Sequence, residues 1–208
     1  MRDTGRVFRL RRPSQAEIDD QILTAPGSPA ASPQFLSVGN GLKAGDMRPF
    51  VHDRSRSCLG YGEGVFATAK HAFQCWKMFD LGWVRVADAN ARIAVGQVVA
   101  VEVRSLGLWS VNLSRIAETV DTGTQFGFLY STTLQHVEQG EETFLLRFDP
   151  ETGEVSYELE AVSRPRQALA KIAYPVTRYF QRRFARDSHQ KMSGAAGATA
   201  RYGDSESD

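Results

Sequence analysis

One short stretch of the sequence holds most of the side chains that could carry out chemistry. It reads LQHVEQGEETFLLRFD and packs one histidine and three glutamates into seven residues: His136, Glu138, Glu141 and Glu142. A histidine beside carboxylates can bind a divalent ion, and the same pair can move protons in acid–base catalysis. Three interpretations stay open: a metal or acid–base site, the polar rim of a ligand cavity, and a solvated turn whose glutamates pair with arginines.

No established metal or catalytic motif accompanies this stretch. The sequence lacks the CxxC, HExxH and GxSxG patterns, a phosphate-binding loop and a dinucleotide fingerprint. We therefore predict no metal and no cofactor. The catalytic residues of an enzyme stay unknown, with His136, Glu138 and Glu142 as the candidates.

The composition favours a single domain and argues against two classes of partner. A chain of 208 residues, of which 42% are hydrophobic, is long enough to bury one core. The net charge of +1 gives no global attraction to nucleic acid, and no stretch approaches the roughly 20 apolar residues of a membrane helix. Two cysteines, and an N-terminus that is charged rather than apolar, lead us to expect a reduced, cytoplasmic protein. The oligomeric state stays open.

The elements that must position the candidate residues follow from hydrophobic periodicity. Residues 63–79, EGVFATAKHAFQCWKMF, place their apolar side chains on one helical stripe. Over residues 83–162 the period changes to two, and short Gly- and Asp-rich links separate six strand candidates, which predicts an antiparallel meander. Helical periodicity returns over residues 166–191 and supplies a cover for the apolar face of the sheet. These elements predict an α+β layer fold.

Alternation within the strands predicts one apolar, aromatic face of the sheet. Trp109, Leu113 and Arg115 share a face of the third strand candidate, and a buried arginine there needs a partner such as a ligand anion. On the fifth strand candidate, Glu142 must face the same side as Phe144 because the two lie two residues apart. We therefore predict a cavity between this face and the terminal helix, lined by Trp109, Leu113, Arg115, Phe128, Tyr130, Phe144, Tyr157 and Phe180.

At residue level the chain resembles one uncharacterised family, a domain of unknown function. The matching stretches span most of residues 9–192: RLRRPS, LGYGEGVFATAKHAFQCWKMFDLGWV, VNLSRI, FGFLYSTTLQHVEQGEETF, VSYELEAVSRP and YPVTRYFQRRF. The order of a strand, an inserted helix, six strands and a terminal helix also resembles the helix-grip fold of the START and Bet v 1-like superfamily. That resemblance implies a curved antiparallel sheet of about seven strands wrapped around a long C-terminal helix. Plant members of the family are linked to the chloroplast outer envelope.

The domain organisation and three function hypotheses follow. We predict one domain over residues 1–192, with a flexible Pro-, Ser- and Ala-rich insert at 24–34 and a disordered tail at 193–208. The first hypothesis is a binding module that holds a small hydrophobic or amphipathic ligand, with Arg115 anchoring its polar group. The second is a hydrolase, cyclase or isomerase that uses His136 with Glu138 or Glu142 for proton transfer. The third is a protein that contacts a membrane surface or a partner through its basic terminal helix.

Overall fold

The elements follow one another along the chain in the predicted order. The structure is a computed structural model and describes residues 8–24, 35–43, 49–133, 138–165 and 174–197. Its elements are β1 (Phe8–Arg9), α1 (Gln15–Thr24), β2 (Leu36–Ser37), β3 (Gly41–Leu42), β4 (Val51–Tyr61), α2 (Glu63–Gln74), a 3-10 turn (Lys77–Phe79), β5 (Val84–Val86), β6 (Val98–Ser105), β7 (Leu108–Asp121), β8 (Gln125–Thr132), β9 (Glu138–Phe148), β10 (Glu154–Pro165) and α3 (Tyr174–Gly197). Residues 25–34 of the predicted insert lie outside the described residues.

The sheet confirms the predicted meander. Strands β5 to β10 each pair antiparallel with the next strand along the chain. Strand β4 pairs antiparallel with β10, so the order across the sheet is β4-β10-β9-β8-β7-β6-β5. Short links join antiparallel neighbours and explain the order from β5 to β10. Strand β4, which α2 separates from the meander, adds to its far edge beside β10. The seven strands form a curved half-barrel that holds α3 against its concave face, which confirms the predicted fold class.

One end of the concave face is filled by an aromatic core. The apolar stripe of α2 is buried there, as predicted, with Phe73 fully buried at its centre. The ring of Phe73 meets those of Phe126, Phe128 and Tyr157 edge-on, at centroid distances of 5.4, 5.7 and 6.2 Å. Edge-to-face geometry is favourable for aromatic pairs beyond the area that they bury. This end of the half-barrel is therefore a solid core.

Helix α3 lies along the concave face and is fixed by polar contacts on two sides. The hydroxyls of Tyr157 and Ser188 are 2.9 Å apart in the interior. The indole Nε1 of Trp83 donates to Oδ2 of Asp187 at 2.9 Å. These contacts anchor the middle of the helix to β10 and to the start of β5.

The C-terminal end of α3 differs from the prediction. The predicted disordered tail begins at residue 193, whereas the helix continues to Gly197. The physical reason is packing, because Met192 and Ala196 are 0% and 1% exposed in the core. Residues 198–208 of the predicted tail, and residues 166–173 of the predicted helix, lie outside the described part of the chain.

The N-terminal segment covers the outer, convex face of the sheet. A capping box begins α1: the backbone N of Ser14 donates to Glu17 at 2.8 Å, and the backbone N of Glu17 donates to Ser14 Oγ at 3.3 Å. Hydrogen bonds to the Glu17 carboxylate from the backbone of Ser14, from Arg11 and from the Ser14 hydroxyl hold the pKa of Glu17 at about 2. Ile18 of α1, 1% exposed, packs on Ala100 and Leu113 of β6 and β7. Strand β7 therefore has both of its faces covered.

Candidate ligand cavity

The half of the concave face that α2 leaves uncovered encloses a cavity. Its volume is about 560 Å³, within the range of about 300–1,000 Å³ that is usual for small-molecule sites. The sheet supplies one wall and the first half of α3 the other. Aromatic side chains provide much of the lining: Phe79, Trp83, Tyr130, Phe180 and Phe184. Such a lining favours a ligand with a substantial apolar part.

The register of the strands sets a row of side chains across the cavity wall. Asp53 pairs with Ala161, Ala161 with Glu142, and Glu142 with Tyr130, on four successive strands of the sheet. The hydroxyl of Tyr130 donates to Oε2 of Glu142 at 2.6 Å. Side chains opposite one another on one face lie within contact distance, so the row places an acid–phenol pair at the wall.

Asp53, at the end of this row, is engaged by α3. Arg178 binds its carboxylate through both terminal nitrogens, with Nη2 at 2.6 Å from Oδ1. The hydrogen bonds from Arg178 hold the pKa of Asp53 below its usual value, and the nearby positive charge of Arg182 adds to the effect. This carboxylate is therefore ionised at neutral pH and already paired.

A polar patch on β7 interrupts the apolar lining. Ser114 and Asn112 line the cavity and are 1% and 9% exposed. Nδ2 of Asn112 donates to Ser110 Oγ at 3.4 Å, whereas its Oδ1 is buried without a hydrogen-bond partner among the described residues. A buried acceptor without a donor costs about 1–3 kcal/mol. Such a group in a native protein needs an explanation.

Two arginines mark the opening of the cavity. Arg182 and Arg186 line it and are also exposed to solvent. Arg186 binds Oδ1 of Asp187 at 2.9 Å, and Arg182 makes no ion pair within the part of the chain that the structure describes. The opening therefore carries positive charge.

A histidine closes the α3 wall nearest β4. Both ring nitrogens of His189 are bound, Nε2 to Ser55 Oγ at 2.8 Å and Nδ1 to Ser57 Oγ at 2.7 Å. Burial lowers the pKa of His189 from 6.5, which favours the neutral ring. In that form one nitrogen donates and the other accepts, and a serine hydroxyl can serve either.

The predicted site residues separate into three groups. Tyr130 and Phe180 line the cavity, and so does Glu142 of the candidate catalytic set. Three further residues face the concave side but belong to the solid core rather than to the cavity wall: Phe128, Phe144 and Tyr157. The alternation of apolar residues predicts that these side chains face the concave side. It does not indicate which part of that side is occupied by core side chains and which part is a cavity.

The third group lies on the opposite face, and its predicted place at the cavity is wrong. Leu113 packs beneath α1, and two guanidinium groups stack on Trp109 at 5.6 and 5.8 Å. Arg115 donates to the carbonyl oxygen of Gly96 at 3.0 Å, so it needs no ligand anion. The apolar face of β7 is covered by α1 from outside, and the polar side chains between these positions face inward.

The histidine–glutamate cluster does not form a described site. His136 lies outside the described residues, and only the backbone of Glu138 is described, at the start of β9. Glu141 points to the convex face and accepts the backbone N–H groups of Phe35 and Leu36, each at 3.0 Å. Glu141 and Glu142 both border the cavity, and Glu142 is the one whose side chain forms a hydrogen bond there, with Tyr130.

The described part of the chain holds neither a metal-binding cluster nor a membrane-spanning helix. Among the described residues, no group of three or more His, Cys, Asp or Glu side chains is arranged to hold a metal ion. In the same part of the chain, no helix combines the length and the apolar character that crossing a membrane requires.

The polar residues of the cavity were missed in the sequence, although a signal for them exists. Ser110, Asn112 and Ser114 alternate with apolar residues along β7, which is a regular period-two pattern. Polar alternation is usually assigned to the solvent side of a sheet. Here it lines an internal cavity because the convex side is covered as well.

A curved seven-stranded sheet, a long terminal helix and an enclosed cavity define a helix-grip protein. This chain belongs to a family of unknown function, since residues 41–191 match the model described as Domain of unknown function (DUF1990). A UPF0548 protein of Dictyostelium discoideum is 37% identical over 160 residues, which cover 72% of this chain and 74% of that protein. A UPF0548 protein of Deinococcus radiodurans is 29% identical over 202 residues, which cover 92% of this chain and all of that protein.

Solved structures share the fold at low sequence identity. The Zhui aromatase/cyclase of a Streptomyces species has a TM-score of 0.53 and 13% identity, covering 74% of this chain and 98% of that one. A hypothetical protein of Helicobacter pylori has a TM-score of 0.53 and 8% identity, covering 77% and 99%. At these identities the likeness shows the fold alone.

Proposed function

We propose that this protein is a binding module that holds a small amphipathic molecule in the cavity between the sheet and α3. The observation that carries the proposal is the cavity itself, which joins an aromatic lining to a buried oxygen of Asn112 that has no hydrogen-bond partner among the described residues. Ligand sites typically combine a mostly apolar wall with a few placed polar groups. A cavity that served packing alone would favour an apolar side chain at this position, because a buried unpaired acceptor is unfavourable.

Native mass spectrometry of the purified protein tests the proposal, before and after exposure to a whole-cell lipid extract. Ala161→Phe should fill the cavity, since Ala161 lines it in the row between Asp53 and Glu142. Ala94→Phe is the matched control, because Ala94 is exposed in the loop before β6. We expect a discrete added mass on the unmodified protein and on the control that is absent from the Ala161→Phe variant. A bare mass for the unmodified protein after exposure to the extract would contradict the proposal.

A second candidate, an enzyme of the proton-transfer type, is favoured by the 2.6 Å hydrogen bond between Tyr130 and Glu142 at the cavity wall. A carboxylate bound to a phenol can act as a general base when a substrate lies beside it. Its test is turnover of whatever molecule the cavity yields. The Glu142→Gln variant should then bind this molecule and fail to convert it, whereas equal turnover by the variant would exclude this role for Glu142.

A further inference from the structure

The cavity has two kinds of polar group, and they lie at different places. Asn112 is on the sheet wall and only 9% exposed, and its buried Oδ1 has no hydrogen bond from the described residues. Arg182 is on α3, exposed at the opening, and makes no ion pair with those residues. The first group requires a neutral donor, and the second attracts an anion.

The other charged groups of the wall do not compete for these roles. Asp53 is held by Arg178 through two hydrogen bonds. Glu142 accepts the hydroxyl of Tyr130 at 2.6 Å. Both carboxylates thus have protein partners. Positive charge remains at the opening, and within the described segments the Asn112 acceptor in the interior has no donor.

We propose that the ligand is an amphipathic anion that also carries a hydroxyl or N–H group. Its anionic group binds at the opening beside Arg182, its apolar body contacts the aromatic lining, and its hydroxyl or N–H donates to Oδ1 of Asn112. This inference rests on the proposed function, because it names the class of molecule that the cavity holds. A site whose buried polar group needs a donor discriminates against the analogue that lacks one.

The test uses three probes: 12-hydroxydodecanoate carries both the anion and a donor, dodecanoate carries the anion alone, and methyl dodecanoate carries neither. Their dissociation constants are measured by displacement of the fluorescent neutral dye N-phenyl-1-naphthylamine. We expect the hydroxylated acid to bind about fivefold more tightly than dodecanoate, the effect of one hydrogen bond of about 1 kcal/mol. We expect dodecanoate to bind about fivefold more tightly than its neutral methyl ester, the upper range for an exposed charge pair.

Two variants locate these preferences in the cavity. Asn112→Leu should abolish the preference for the hydroxylated acid and leave the preference for the anion. Thr143→Val is its matched control, because the buried hydroxyl of Thr143 also has no partner in the part of the chain that the structure describes, but it faces a separate pocket on the convex side. Arg182→Gln should abolish the preference for the anion, whereas Arg92→Gln, at an exposed arginine outside the cavity, should keep it.

Melting temperatures separate a ligand role for Asn112 from a structural one. Removing a buried unpaired acceptor should leave the melting temperature of the ligand-free Asn112→Leu variant unchanged or raise it. A lower melting temperature together with an unchanged probe preference would overturn the inference, and so would preferences that survive both cavity variants. If the dye and all three probes fail to bind, or bind Ala161→Phe as tightly as the unmodified protein, the proposed function itself fails.

Discussion

A single carboxylate, that of Glu102, ties the N-terminal segment to the sheet. Its side chain is fully buried and accepts hydrogen bonds from Nε of Arg12 at 2.8 Å and from Nη2 of Arg85 at 2.7 Å. The side chains of the two arginines are 44% and 48% exposed. Because water reaches the arginines but not the carboxylate, the desolvation of Glu102 is the cost that these hydrogen bonds must offset.

Replacement of Glu102 by Gln should destabilise the fold. The amide keeps the shape but loses the charge and one acceptor, so the free energy of unfolding should fall by about 2 kcal/mol, the contribution of hydrogen bonds to a charged group. Urea unfolding monitored by circular dichroism measures it. Glu151→Gln, at an exposed position in the link before β10, is the control and should change little. Equal urea midpoints for both variants would show that the charge of Glu102 makes no net contribution to the stability of the fold.

At the residue scale, the sequence predicts which side chains share a face but not which face is inward. Tyr130 and Glu142 were placed correctly because β8 and β9 have one clearly apolar face. On β7 the apolar face of Trp109 and Leu113 is the convex one. The segment that covers it, α1, is separated from β7 by more than 80 residues of sequence. The local sequence pattern of β7 therefore does not indicate that α1 covers its convex face.

At the scale of elements, α3 joins the cavity to the core. Its first turns form one wall of the cavity, whereas Met192 and Ala196 pack in the core at its other end. Between them His189 binds Ser55 and Ser57 of β4 through its two ring nitrogens. The ring also lies 5.0 Å from that of Tyr157. Protonation would leave this histidine with two donors in a half-buried position.

We expect the stability of the fold to decrease as the pH falls from about 7 to about 5. The pKa of His189 is lower in the folded state than the usual 6.5, so the unfolded chain binds more protons in this window. The stability is fully present above 6.5 and is lost as the pH falls towards the folded-state pKa. Carboxyl groups with lowered pKa values, such as Asp53 and Asp80, contribute their own loss at lower pH, because their ordinary value is 3.8.

Urea midpoints measured across this pH window, with and without His189, check the expectation. The His189→Gln variant should show a flat profile where the unmodified protein declines. His71→Gln serves as the control, because His71 is exposed on α2. A decline of the same size in the His189→Gln variant would assign the pH dependence to other groups.

The elements themselves were largely predictable. The six-stranded meander and the buried stripe of α2 follow from periods of two and 3.6 residues and from short links. The end of α3 was not predictable from the sequence, because the small residues of SGAAG are typical of a flexible tail. Ala196 nevertheless fits against the core because small side chains let a helix approach closely, and the sequence gives no sign of that surface.

On the scale of the whole molecule, the sheet is a layer with a different cover on each side. Helices α2 and α3 lie on the concave side and enclose the core and the cavity. Helix α1 lies on the convex side, where Ile18 packs on the sheet and Arg12, just before the helix, binds Glu102. Strand β1 pairs with β7 in the sheet itself. The cavity and the convex cover are thus separated by the thickness of the sheet.

We predict that loosening α1 leaves the cavity intact. Ile18→Glu places a charge where Ile18 is 1% exposed, so α1 should leave the convex face because burying an unpaired charge is unfavourable. Hydrogen exchange should then accelerate in residues 15–24, while the dissociation constant for dodecanoate stays within about twofold, an effect below 0.5 kcal/mol. Gln21→Glu, a substitution at a half-buried position on the same helix, is the control. Loss of binding by Ile18→Glu would show that the two sides of the sheet are coupled.

The unequal filling of the half-barrel has a kinetic consequence. The free energy needed to open a segment rises with the number of buried contacts that opening breaks. The first turns of α3 lie over the cavity and the last turns pack on the aromatic core, so opening the first turns breaks fewer contacts. Val176 and Tyr179 in those first turns are already 44% and 59% exposed. We therefore expect a molecule held in the cavity, as proposed above, to exchange with solvent through fraying of the first turns of α3, at a rate that substitutions there change without changing the global unfolding rate.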